Sequence, residues 1–315
     1  MSDPVQTPVR FGADAALVGM LTTPAADGPA PLPVACLMLN MGANHRVGPR
    51  RINVKLCHRL AARGMSSLRL DLGGIGDSEA PAGTSALPLV LRAVRDLQAA
   101  MDLVEARLGI HQFVIVGLCS GVEHAMTTAL ADPRVVGLSL FDGFNFPQWH
   151  TRCERTLRRA FAAMGHPAFA GKLRRWLQRS LVRWLPGGRS GQPLPGFFSE
   201  SASPAMTAAW FGAAMHRLAE RKVALHFLYS GSFHVCDRDR DLLGRFRHEP
   251  FVQAAQYDFA GDLDHTLCTA KGQQSFLRLV GDWAIATAGG MPAAVRSADA
   301  PPAAALQMAG ALAPQ

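Results

Sequence analysis

The chain has 315 residues, 49% of them hydrophobic and 18% charged, enough apolar content for a sizeable core and too much for global disorder. Its net charge of +8 is concentrated. Arg152 to Arg189 holds ten Lys/Arg and one acid, Glu154, which leaves 22 bases against 23 acids elsewhere. A near-neutral body with one basic insert is not the pattern of a general nucleic-acid binder.

No run of about 18 uninterrupted apolar residues occurs, so no transmembrane helix is expected. The opening "MSDPVQTPVRFGAD" lacks the basic and then apolar segments of a secretory signal. Six cysteines (36, 57, 119, 153, 236 and 268) form no C-x-x-C pair and no zinc-spaced cluster with histidine, so no metal is expected. Without a signal they read as reduced thiols in the cytoplasm, five of the six as small apolar fillers.

In chain order, "VRFGA" and "ALVGMLTT" alternate as two antiparallel strands between about Pro8 and Thr23. "VACLMLN" (Val34 to Asn40) is a continuous apolar run, the mark of a strand buried on both faces. A helix follows over roughly Arg50 to Arg63, with Ile52, Leu56, Leu60 and Ala61 on one face and Gly64 as its stop. "SSLRLDL" is the next strand, and Leu87 to Leu108 a long helix. "HQFVIVGLC" is a strand, "SGVEHAMTTALA" a helix, and "VVGLSLFDG" a strand. Strands alternating with helices require parallel crossovers and helices on both faces of one sheet.

The alternation breaks over residues 150–220, which hold no convincing strand. There "AGKLRRWLQRSLVRWLP" places Leu173, Trp176, Leu177, Leu181, Trp184 and Leu185 at helical spacing, with Lys/Arg on the remaining surface. Such a helix suits a cap whose apolar face packs on the body. It also suits an anionic membrane surface, an acyl carrier protein or the phosphates of coenzyme A. The alternation resumes with "VALHFLYSG", an irregular helix near Leu242, the strand "FVQAAQYDFAG", the loop "DLDHT" and a last helix to about Ala286. An Ala/Pro-rich tail from Gly289 has the composition of disorder.

The expected chemistry gathers at the carboxyl edge of the strands. Gly117-Leu118-Cys119-Ser120-Gly121 joins a strand to a helix as G-x-C-x-G. A nucleophile at its centre occupies a strained turn, and small residues two places either side let strand and helix approach. Register selects Cys119, while Ser120 contributes its backbone N–H towards an oxyanion. A thiol is already partly ionised near neutral pH, and a helix start favours the anion. The plain alternative is a small cysteine filling a glycine-flanked turn.

His265, in the loop opening the last helix, can reach back over the sheet edge to Cys119 as base and then acid; the plain alternative is a surface histidine. The acid that orients it is Asp142, which ends the strand after the elbow, or Asp237 within "CDRDRD". Asp142 needs no loop rearrangement and is preferred, though as a turn cap it would serve equally. The second oxyanion donor is expected from the backbone of Met41 or Gly42. His45, in the same loop, is a candidate substrate contact; His124 reads as structural. "DLGGIGDS" (Asp71 to Ser78) fits neither a dinucleotide fingerprint nor a P-loop, and no cofactor is expected.

Taken in order over about residues 10–288, "LNMGANHRVGPRR", "RLDLGGIGDS", "VGLCSG" and "DHT" resemble the α/β-hydrolases. The nearest resemblance is to bacterial serine-aminopeptidase-like or exosortase-system-associated hydrolases, with a cysteine nucleophile as in dienelactone hydrolases. It implies a doubly wound, mostly parallel α/β sheet. The core would comprise residues 8–147 and 222–288, the cap insertion residues 148–221 and the tail residues 289–315. It also implies an esterase, thioesterase or acyltransferase acting on a small-molecule acyl ester or thioester, with carrier-protein- or coenzyme A-bound acyl groups as the favoured substrates. Two departures stand out. Asn40-Met41 replaces the frequent His-Gly, and no acid follows "VALHFLYSG" directly. They motivate a second expectation, a non-catalytic hydrolase-like scaffold that uses its basic insert to engage a partner.

Overall fold

The computed structural model describes residues 2–80, 87–164 and 202–290. Eight strands form one sheet in the order β1-β2-β4-β3-β5-β6-β7-β8. They are β1 (Val5–Phe11), β2 (Leu17–Thr23), β3 (Val34–Met38), β4 (Ser67–Asp71), β5 (Gln112–Leu118), β6 (Val135–Phe141), β7 (Ala224–Ser230) and β8 (Gln256–Ala260). The β1–β2 and β2–β4 pairs are antiparallel. Every other neighbouring pair is parallel.

The sheet is covered on both faces, and the period of two in its strands shows why. In β3, Ala35 and Leu37 face one core while Val34, Cys36 and Met38 face the other. In β5, Phe113 and Ile115 enter the first core and Val114, Val116 and Leu118 the second. Side chains of successive strand residues point to opposite faces, so a strand between two cores is apolar throughout.

The helices supply the covering layers. On the first face, α2 (Leu89–Leu108) buries Ala93, Val94, Leu97, Ala100, Met101 and Val104, spaced by one, three and four residues. It is joined there by α3 (Gly121–Ala131) and by α5 (Pro204–Glu220), whose Ala208, Phe211 and Met215 enter the same core. On the other face lie α1 (Ile52–Ala61) and α7 (Ala270–Gly289). The expected α1 face of Ile52, Leu56, Leu60 and Ala61 is fully buried. Gly64 then turns the chain at φ 88°, where a Cβ would lie 2.4 Å from the Ala30 carbonyl oxygen.

Between β6 and β7 run α4 (Trp149–Met164) and α5. The basic segment Leu173–Leu185 and the tail beyond residue 290 lie outside the described residues.

Two expectations need correction. "FVQAAQYDFAG" is not one strand: a short helix, α6 (Pro250–Ala254), precedes β8. Pro250 at its first position pre-sets a helical φ and needs no N–H partner there. The cysteines are not mostly fillers either. Cys36 and Cys57 are buried, but Cys153, Cys236 and Cys268 are exposed because they sit on α4 and in surface loops.

Candidate active site

β5 ends at Leu118, and the chain enters α3 through Cys119 and Ser120. Cys119 has φ 54°, a left-handed conformation costly for a residue with a Cβ. The turn holds because the Cys119 N–H donates to the Phe141 carbonyl at 2.8 Å and the Val122 N–H donates back to the Cys119 carbonyl at 3.1 Å. The flanking glycines are sterically required. A Cβ on Gly117 would meet the Gly121 carbonyl oxygen at 2.8 Å, and one on Gly121 would meet the Asn40 carbonyl oxygen at 3.1 Å. The thiol is left part-exposed, in contrast to the buried Cys36 and Cys57, whose pKa values burial pushes up.

Asp142 is the first residue after β6. It also has positive φ, 50°, and its N–H donates to the Leu228 carbonyl at 3.0 Å. Its side chain is fully buried. One carboxylate oxygen, Oδ1, accepts from the Ser230 N–H at 2.7 Å. The other, Oδ2, accepts from the Ser230 hydroxyl at 2.6 Å and lies 2.9 Å from His265 Nδ1. His265 is held from behind by its N–H donating to Ser232 Oγ at 2.8 Å. Its ring stacks on Phe141 with centroids 6.4 Å apart. The Asp142 carboxylate raises the His265 pKa to about 10, and a hydrogen bond to the Cys119 thiol adds to the effect. A negative or hydrogen-bond-accepting neighbour favours the charged imidazolium over its neutral form. Cys119, His265 and Asp142 are thus brought together from three separate strand ends.

Asp237 is placed elsewhere. It accepts from the Asp241 N–H, and burial raises its pKa.

The loop after β3 abuts the elbow. Gly42 donates its N–H to Ser120 Oγ at 2.8 Å, so that N–H is already committed. The N–H groups of Met41 and Ser120 have no protein acceptor among the described residues.

Beneath this loop lies a buried network. Asp71 Oδ1 accepts from Asn40 Nδ2 at 2.9 Å and from the Arg46 N–H at 2.6 Å. Arg46 bridges Asp71 and Asp77. Asn40 therefore serves as a clamp: its Oδ1 accepts from the Leu72 N–H at 2.7 Å. His45 lies against Asp77 at 3.1 Å and is absent from the cavity lining described below. His45, Asp71 and Asp77 could converge on a cation, but the Arg46 guanidinium already neutralises both carboxylates.

A cavity of about 860 Å³ opens beside Cys119. Its wall is the strap after β6, with Phe144, Phe146, Pro147 and Trp149, faced by Ala205 and Ala208 of α5. The strap is pinned at its backbone. Tyr229 donates its hydroxyl to the Phe144 carbonyl at 2.6 Å, and the Phe146 N–H donates to the Leu242 carbonyl at 2.7 Å.

Sequence reasoning missed Ser230, Ser232 and the strap. Ser230 ends a strand next to the expected acid, a place that could have been read as its partner. A second line of serine, histidine and acid was also unforeseen. Ser139 Oγ lies 3.0 Å from His226 Nδ1, and His226 Nε2 lies 3.1 Å from Asp258 Oδ2. Ser139 and His226 are wholly buried on adjacent strands, so this line cross-links the sheet and is closed to substrate. His124 is buried in α3, and burial lowers its pKa to about 4. No helix among the described residues is long and apolar enough to cross a membrane.

No family model matches the chain, and neither does any curated protein. Solved structures do match. An α/β serine hydrolase without lid from Xanthomonas campestris superposes with a TM-score of 0.51 at 11% identity, covering 93% of this chain and 98% of that one. Est1E from Butyrivibrio proteoclasticus gives 0.52 at 10% identity, covering 91% and 100%. A dienelactone-hydrolase-like protein from Klebsiella pneumoniae gives 0.50 at 14% identity, covering 90% and 99%. At such identities the likeness is one of architecture, and the architecture is that of the α/β-hydrolase fold.

Proposed function

We propose that this chain is an acyl-transfer enzyme, a thioesterase, esterase or acyltransferase working through an acyl-cysteine. The carrying observation is a part-exposed thiol in a strained turn on one cavity, with a buried carboxylate that lines the same cavity and is bonded to an imidazole. Cys119 is the nucleophile, His265 the proton carrier, and Asp142 the group that fixes the imidazole tautomer and stabilises its charge. His265 takes the thiol proton. The sulfur adds to the substrate carbonyl, and the Met41 and Ser120 N–H groups receive the oxyanion. The intermediate collapses by breaking the bond to the leaving alcohol or thiol, which takes the proton from His265. Water, deprotonated by His265, then attacks the acyl-cysteine and releases a carboxylic acid and the free thiol. An alcohol or amine in place of water makes the second step a transfer.

Esters and thioesters of apolar acids suit the aromatic strap, and carrier-protein- or coenzyme A-bound acyl groups are the favoured substrates. The narrower kinship with exosortase-system-associated hydrolases rests on the sequence motifs.

The test is intact-protein mass spectrometry after brief exposure to a panel of short and long acyl thioesters. An acyl mass gain is expected in the wild type, absent in Cys119→Ala and slowed in His265→Ala. No adduct and no turnover across thioesters and esters would overturn the proposal in favour of a non-catalytic scaffold.

A further inference from the structure

Two arginines line the same cavity as Cys119: Arg152, in the first turn of α4, and Arg245, after β7. Both are anchored on one short piece of the strap. Arg152 Nε donates to the Pro147 carbonyl at 2.9 Å. Arg245 follows Gly244, which packs directly against the Phe146 carbonyl and the Gln148 N–H. The Arg245 guanidinium lies over the Phe246 ring, 5.1 Å from its centroid. Both cations therefore belong to segments that contact the strap between Phe146 and Gln148.

Neither meets a carboxylate among the described residues. Seven other arginines, Arg46, Arg59, Arg63, Arg134, Arg158, Arg238 and Arg247, do have acidic partners. Glu154, two residues from Arg152, is taken by Arg158 and Arg238. Arg152 also begins the stretch to Arg189 that holds ten bases against one acid. Two guanidinium groups without acidic partners, lining one cavity, favour an anion of more than one charge over a single carboxylate. Their planar forks match phosphate oxygens in particular.

We propose that Arg152 and Arg245 form a phosphate-binding subsite at the mouth of this cavity, which reads the leaving half of an acyl thioester whose thiol carries phosphate. The inference rests on the acyl-cysteine reading and assigns its leaving group. The acyl part lies along Phe144 and Phe146, and the departing thiol leaves past the two arginines. The phosphate can be the one on pantetheine, shared by coenzyme A and a carrier protein, or the adenosine phosphates of coenzyme A.

The experiment compares one acyl group on three thiols: coenzyme A, 4′-phosphopantetheine and uncharged pantetheine. kcat/KM is measured for the wild type, Arg152→Gln/Arg245→Gln and Arg152→Lys/Arg245→Lys. The wild type is expected to prefer a phosphorylated thiol over pantetheine at least tenfold. Added salt should erode that preference, the glutamine pair should collapse it towards one, and the lysine pair should restore it in part. Equal preference for coenzyme A and phosphopantetheine assigns the pantetheine phosphate, and a preference confined to coenzyme A assigns the adenosine phosphates. Turnover of all three thioesters at equal rates, or a preference that survives in the glutamine pair, overturns the subsite and leaves the acyl-cysteine reading standing. No Cys119 adduct and no turnover with any of the three thioesters overturns both.

Discussion

Ser230 holds the Asp142 carboxylate by two hydrogen bonds at once, its N–H to Oδ1 at 2.7 Å and its hydroxyl to Oδ2 at 2.6 Å. The second shares its acceptor with His265 Nδ1, so the hydroxyl sets where that oxygen sits relative to the imidazole. Ser230→Ala removes one hydrogen bond to a buried charge, worth about 1.5–3 kcal/mol. Ser230 is a positioning residue, so two readouts are needed. Thioester hydrolysis should fall roughly tenfold, about 1.4 kcal/mol of barrier, and the His265 imidazole titration followed by NMR should shift. A slower enzyme with an unchanged titration would reduce Ser230 to a packing role.

The raised pKa of His265 carries a stability consequence with a definite sign. The imidazole ordinarily titrates near 6.5 and is moved to about 10 by Asp142 and then Cys119. A group that binds its proton more tightly when folded stabilises the fold fully below its unfolded pKa. That contribution is lost as pH rises through the folded value. The stability gap between wild type and Asp142→Asn should therefore be widest near pH 6 and shrink towards pH 10. Asparagine tolerates the positive φ at this position, which keeps the comparison to the charge. Urea unfolding at a series of pH values measures the gap, and one that widens with pH contradicts the assignment of Asp142 as the partner of His265.

Cys119 and its neighbour Ser120 carry separable duties. The serine hydroxyl accepts from the Gly42 N–H and so ties the β3 loop to the elbow. Cys119→Ala should abolish acyl-enzyme formation. Ser120→Ala should retain it, with a rate loss of roughly tenfold, about 1.4 kcal/mol of barrier, as the β3 loop loosens. The converse pattern, an adduct that survives in Cys119→Ala and vanishes in Ser120→Ala, would make the serine the nucleophile.

The sheet was legible because its strands carry their environment in their composition. Apolar runs such as "VACLM" and "FVIVGL" mark burial on both faces, and amphipathic runs between them mark covering helices. β8 is shorter than its sequence suggests, because Phe251 and Val252 are as apolar as a strand yet belong to α6. Only the preceding Pro250 hinted at α6. At the site, residues adjacent to glycine turns or strand ends could be named from the chain. Ser230 and Ser232 could not, because serine at a strand end is common and what singles these two out is contact with residues 88 and 33 positions away. The commitment of the Gly42 N–H to Ser120 was invisible for the same reason, spanning 78 positions.

Gly244 and Gly42 make a matched pair that tests how rigid the cavity wall is. Their φ values are nearly the same, 53° and 57°, so an alanine at either meets a similar left-handed penalty of about 1–2 kcal/mol. The space around them differs. A Cβ on Gly42 has nothing within 4 Å, whereas one on Gly244 would fall 1.7 Å from the Phe146 carbonyl oxygen. That oxygen belongs to backbone and cannot rotate aside, and the Phe146 N–H is itself bonded to Leu242. Relief therefore requires the strap to move, and with it Phe144 and Phe146. Gly244→Ala should cost more than about 3 kcal/mol in urea unfolding, well beyond Gly42→Ala, and should flatten the dependence of rate on acyl-chain length. If the two variants lose the same stability, the penalty is that of φ alone, and the strap is not pressed against this turn.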